Sequence, residues 1–221
     1  MSNAALDRRL PDLSLRQVGW VALFLNIQLV AVLAYYHLLE VSITQPRYTL
    51  YGLLWVNLGL LVLYKTTPPS GLDFRTRRRS LAIAAGYFGL LVALGGLVGT
   101  GVPEQAGGLR IAWLPPGWGP AIVYASPLVV IAITPAFLIG YLALAYLVYV
   151  TLLDAAGSAV AGVVGLFSCV SCTWPILAAV ASSLLGGAGV LGATALNASY
   201  DLSTAVFIVT VALLYWRPGI R

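Results

Sequence analysis

Between Asp154 and Asp201 the chain runs for 46 residues without one charged side chain. A helix crosses a bilayer on about 20 apolar residues, so this stretch alone is long enough for one or two crossings. The rest of the chain agrees, because 60% of residues are hydrophobic, 9% are charged and the mean hydropathy is +0.93. These values predict a polytopic membrane protein. The less apolar segments, residues 1–17, 65–79 and 102–119, are each too short to bury a core of their own. The N-terminal residues are polar and lead into a span without a small-residue cleavage site, so the first helix is expected to direct insertion itself.

Laying the bilayer ruler along the chain predicts an all-α membrane helix bundle, one integral membrane domain over residues 1–221. The expected spans are about 18–39, 50–64, 81–101, 132–153, 156–186 with a break at the cysteine motif, and 202–216. Reading 156–186 as two spans joined through Gly186-Gly187 gives seven instead of six. Charge bias separates the two counts. With six spans and a cytoplasmic N-terminus, ten of the twelve Lys and Arg residues lie inside and only Arg47 and Arg110 outside. With seven, Arg217 and Arg221 move outside and the bias weakens. Six spans with both termini cytoplasmic is therefore the expectation, and the location is the cell membrane, multi-pass. The bases sit beside apolar spans and set orientation, which argues against nucleic acid as a partner.

The segment from Val102 to Pro120, with Trp113, Pro115, Pro116, Gly117 and Trp118, is expected to lie on the outer membrane surface, where tryptophan meets both oil and water. Covering an outer-side site is the alternative. The patterns Gly95-xxx-Gly99, Ser158-xxx-Gly162 and Ala161-xxx-Gly165 suit close helix approach in lipid. Asn26, Gln28 and Asn57 are expected to hydrogen-bond between helices. Asp154 reads as an interface residue, and Asp201 as a helix N-cap or first-turn acid.

Both cysteines of the chain stand in Ser168-Cys169-Val170-Ser171-Cys172-Thr173-Trp174-Pro175. Their plain reading is that of small apolar fillers. Three features oppose it: the CxxC spacing, the lack of any other cysteine, and Pro175, which biases Trp174 out of the helix and makes Thr173-Trp174 an expected break. Zinc or blue copper wants three or four strong ligands, and this chain has one histidine, His37, which reads as an interfacial residue, and one methionine, Met1. No cofactor is firmly implied. Cys169 and Cys172 can hold Cu(I) transiently, since soft sulfur selects it, or exchange a disulfide with a partner thiol. The dinucleotide, Walker, HExxH and serine-histidine-acid signatures are absent, which argues against an enzyme.

The segments Val18 to Asn26, Gly140 to Tyr149, Leu153 to Val160 and Leu166 to Pro175 resemble a haloarchaeal multi-pass membrane protein family. The likeness covers nearly the whole chain. That family is associated with the ba-type haem-copper terminal oxidase, as one of its small subunits. The resemblance implies a non-catalytic accessory subunit or assembly factor of a respiratory oxidase, with oxidase subunits as partners and the oxidase's metals held by other chains. Cys172-Thr173-Trp174-Pro175 is also similar to thiol-disulfide carriers of the cytochrome c biogenesis type. Those carriers place their two cysteines on separate spans, which puts their transport cycle in doubt here. A small transporter is a further alternative, although no span carries an ionisable residue at mid-depth. A functional thiol pair predicts that the C169S/C172S double variant lowers the copper content or activity of a co-purified oxidase. Unchanged copper and activity would return both cysteines to packing.

Overall fold

The computed structural model describes residues 15–39, 46–101, 107–155 and 190–216. The chain forms two compact units, residues 1–44 and 45–221. The first holds helix α1 (Leu15–Leu39), whose apolar window Val18–Leu39 has none of its residues buried. Asn26 within it donates its side-chain amide to the carbonyl of Ala22, 2.8 Å away, one turn back in the same helix.

The second unit contains α2 (Pro46–Lys65), α3 (Phe74–Leu94), strands β1 (Val98–Thr100), β2 (Gly108–Ala112), β3 (Ala121–Ala125) and β4 (Val129–Ile133), then α4 (Pro135–Ala155) and α5 (Val190–Trp216). Both α2 and α4 begin on proline, whose fixed φ suits the first helical position and whose missing N–H would have no partner there. The carbonyl of Thr134 accepts the first bond of α4, from the Leu138 amide at 3.0 Å. Helix α3 ends where the Gly95 amide caps the Leu91 carbonyl at 2.7 Å, and Gly96 follows with φ +88°, a conformation that favours glycine.

An all-α bundle of six or seven spans is therefore not the fold. Among the described residues there are five helices and a four-stranded antiparallel sheet, ordered β1-β4-β3-β2, and two helices, Val18–Leu39 and Pro135–Asp154, are long and apolar enough to cross a membrane. Strand β1 replaces the expected end of the third span and β4 runs into the expected start of the fourth, while β2 and β3 lie in the stretch between the two spans. A ruler for apolar length cannot separate the two, because Ala121-Ile122-Val123-Tyr124-Ala125 is as apolar as helix but alternates buried and exposed side chains with period two. Val129 to Ile133 is β-branched at four of five positions, which favours strand. The three-residue turn between these strands is closed by Ser126, whose hydroxyl donates to the Val129 carbonyl at 2.9 Å. Gly95-xxx-Gly99 is likewise not a helix-packing motif, since Gly95 is a cap and Gly99 lies in β1.

Helix α4 is the hub: it packs against α2, α3 and α5. Trp55 meets Gly140 and Thr66 meets Tyr146, so α2 and α4 run the same way. Tyr51 meets Asp201 and Trp55 meets Thr204, so α5 runs with them. Helix α3 returns, because its end and the start of α4 are joined through the β1–β4 pairing. The sheet thus sits at the end where α2 and α4 start and α3 finishes. Lys65 and the arginines of α3 lie at the opposite end.

A Cβ on Gly140 would run into the Trp55 ring. We expect Gly140→Leu to destabilise the protein by about 1–3 kcal/mol through overpacking, read as a lowered Tm in detergent. Gly86, exposed on α3 with open space around it, should accept alanine with an unchanged or higher Tm.

Candidate functional site

The sheet register builds one continuous apolar face. Residues paired directly across antiparallel strands point to the same side. Ile111, Ile122 and Ile133 form one such row, and Leu109, Tyr124, Ile131 and Val98 form the next. The opposite face of β3 is packed away, with Ala121, Val123 and Ala125 buried. The large side chains are the exposed ones: Leu109 is 73% exposed, Ile111 60% and Ile122 51%. A half-covered antiparallel sheet ordinarily turns polar residues to water on its free side. Here Arg110, on the edge strand β2, is the only charged residue in the four strands. Among the described residues, the outer edge of β2 also has no strand partner for its backbone N–H and C=O groups.

An aromatic junction near the starts of α2 and α4 holds the segment between β2 and β3 to the helices. Trp55 of α2 stacks on Phe207 of α5 with centroids 3.9 Å apart, and meets Phe137 and Tyr141 of α4 edge-on at 5.4 and 5.9 Å. Trp118, from the segment between β2 and β3, meets Phe137 at 4.8 Å. Each polar tip is used. The Trp55 indole donates to the Thr204 hydroxyl at 3.2 Å, the Trp118 indole to the Tyr48 carbonyl at 2.7 Å, and the Tyr141 hydroxyl to the Gly95 carbonyl at 2.8 Å. Burying an aromatic ring together with its satisfied donor is favourable, and the three bonds tie together α2, α5, the β2–β3 segment, α4 and the end of α3.

The Trp118 segment approaches α2 closely because both contact positions are glycine. A Cβ on Gly52 would lie 2.8 Å from the Pro116 carbonyl oxygen, and Gly117, at φ +90°, rests against the Gly52 backbone. Of the two tryptophans expected at the outer membrane surface, Trp113 is half exposed, whereas Trp118 is buried as an anchor. Nearby, Asp201 accepts a hydrogen bond from the Tyr51 hydroxyl at 2.8 Å and pairs with Arg47 at 3.7 Å. It therefore lies within α5, not at the helix start expected of it. The pair is well exposed and contributes little to stability.

Cys169, Cys172, Thr173, Trp174 and Pro175 lie outside the described residues, as do Ser158, Gly162, Ala161 and Gly165. Among the described residues no three His, Cys, Asp or Glu side chains come together. A recess of about 150 Å³ between Leu58, Leu61 and Val62 of α2 and Ile208, Val211 and Tyr215 of α5 is wholly apolar. It offers no group for acid-base or nucleophilic work. The sheet face is what the geometry equips for binding, and the chemistry it favours is apolar contact. Its signal in the sequence is the alternation of smaller and larger side chains in Ala121-Ile122-Val123-Tyr124-Ala125, followed by a Ser-Pro turn and a β-branched run. Mean hydropathy masks that signal.

The chain belongs to a family of unknown function, DUF7546, whose model matches residues 1–221. No curated protein and no solved structure matches it.

Trp55→Ala should cost about 3–5 kcal/mol and Tyr51→Phe less than about 1 kcal/mol, measured by thermal or denaturant unfolding in detergent. Equal losses would show that the junction is not what holds the unit together.

Proposed function

We propose that this chain is a non-catalytic, multi-pass membrane protein that works by receiving another protein on its exposed sheet face. The observation that carries the reading is the face itself, two cross-strand rows of Leu, Ile, Val and Tyr with no charge among them. A contiguous apolar patch is costly against water and marks a surface meant for contact. Helices α2, α3 and α5 run beside α4 and, on this reading, cross the membrane with it. Lys65, Arg75, Arg77, Arg78 and Arg79 cluster at the bundle end away from the sheet, which supports a cytoplasmic position for that end and an outer one for the sheet.

The resemblance to the small oxidase component supplies the partner to test first: a haem-copper respiratory oxidase, for which this chain would be an accessory subunit or assembly factor. On that reading Cys169 and Cys172 are where the chain would handle Cu(I) or exchange a disulfide with the partner. Tagged protein extracted in mild detergent should bring the oxidase with it. Ile122→Lys and Tyr124→Lys, both at exposed positions, should weaken that retention by about 30-fold, as central interface residues do, while leaving Tm unchanged. Undiminished retention would remove the sheet face from the interface. Isolation of the chain alone, with a redox-active thiol pair, would favour the thiol-disulfide carrier instead.

A further inference from the structure

We propose that the turn joining α2 to α3 binds the headgroups of anionic phospholipids. Lys65 closes α2, and Arg75, Arg77, Arg78 and Arg79 fall in the first two turns of α3. All five are exposed, and Asp73 is the single acid between them. Arg77 has a structural task. Its guanidinium donates to the Pro69 carbonyl at 3.2 Å and pins the turn.

The other three arginines of α3 are placed differently. Positions 75, 78 and 79 share one helix face by their spacing of three and four, and among the described residues Arg75, Arg78 and Arg79 enter no ion pair. Like charges so spaced repel one another. They also sit at the positive end of the α3 dipole, where the Asp73 side chain makes no capping bond. Among the described residues nothing offsets this repulsion. A phosphate group relieves it, since guanidinium forks bind phosphate oxygens in pairs.

What selects a lipid over a free phosphate is the surface directly beside the bases. Tyr64 is 83% exposed and Phe74 is 74% exposed, and Leu81 and Ile83 continue the exposed apolar surface along α3. A cationic rim meeting aromatic and aliphatic side chains complements a molecule with an anionic head and apolar tails. The inference rests on the reading that α2 and α3 cross the membrane, with this turn at its surface.

The full-length chain in mild detergent, offered equal phosphatidylglycerol and phosphatidylcholine, is followed by native mass spectrometry. It should retain phosphatidylglycerol over phosphatidylcholine by about fivefold or more. The variant R75Q/R78Q/R79Q should lose that preference, while R110Q, which removes one positive charge at the sheet, keeps it. Equal retention of the two lipids by the wild type, or full preference in the triple variant, overturns the site. Should the triple variant not fold, the wild type decides: raising salt from about 0.05 to 0.5 M must release phosphatidylglycerol, and retention unchanged by salt overturns the proposal. Inorganic phosphate displacing the lipid at equal concentration would assign the arginines to a free anion and overturn the lipid. Alkaline carbonate separates the two levels. A chain that leaves the membrane overturns both the crossing of α2 and α3 and the lipid site, whereas one that stays but takes both lipids alike overturns only the latter.

Discussion

Trp55 can lie against α4 only because position 140 carries no side chain, and the second unit is organised around that contact. With Gly140 beneath it, the indole is 3% exposed, stacks on Phe207 and turns its N–H to Thr204. Three helices thereby share one ring. Phe137, Tyr141 and Trp118 extend the cluster toward the sheet, and each tryptophan or tyrosine in it has its polar tip hydrogen-bonded. In apolar surroundings an unpaired indole or phenol would cost several kcal/mol, so satisfied donors are a condition of burying so many aromatic rings together.

The junction has a consequence for the sheet. Trp118 anchors the segment between β2 and β3 to the start of α2, and the Ala136 amide bonds the Gly117 carbonyl at 2.9 Å, so the segment is also held to the start of α4. The small side chains Ala121, Val123 and Ala125 are then turned inward and the large ones outward. The apolar face is a product of this anchoring. At the other end of the bundle the surface is cationic, and the Tyr146 hydroxyl ties α4 to the end of α2 by donating to the Thr66 carbonyl at 2.9 Å. The two ends are thus chemically distinct, one with an apolar surface and the other with a cationic one.

Much of the helical content is legible from apolar length alone. Segments of α1, α2, α4 and α5 fall on expected spans, because a continuous apolar run of about 20 residues is a robust helix signal in a chain with so few charges. The sheet is not legible by that measure. Strands of five residues rich in Ile and Val raise mean hydropathy as much as helix does, and only the small-large alternation of side chains at 121–125 and the turn at Ser126-Pro127 distinguish them. Trp118 is misread for a related reason, since a tryptophan in a Pro-Gly segment reads as interfacial until the glycine at position 52 is seen to admit it. Asp201 reads as a helix start because serine and tyrosine precede it, whereas α5 begins eleven residues earlier. Its partners Arg47 and Tyr51 lie about 150 positions away in sequence, beyond the reach of any local pattern.

Photo-crosslinking from the sheet in the native membrane tests the central claim most directly. A photoreactive side chain at position 122 or 124 looks outward from the exposed face, and one at position 121 or 123 looks inward. If the face is an interface, both outward positions attach the chain to the same defined polypeptide and both inward positions attach it to none. Attachment from the outward positions to lipid alone, or to no protein, would contradict the assignment.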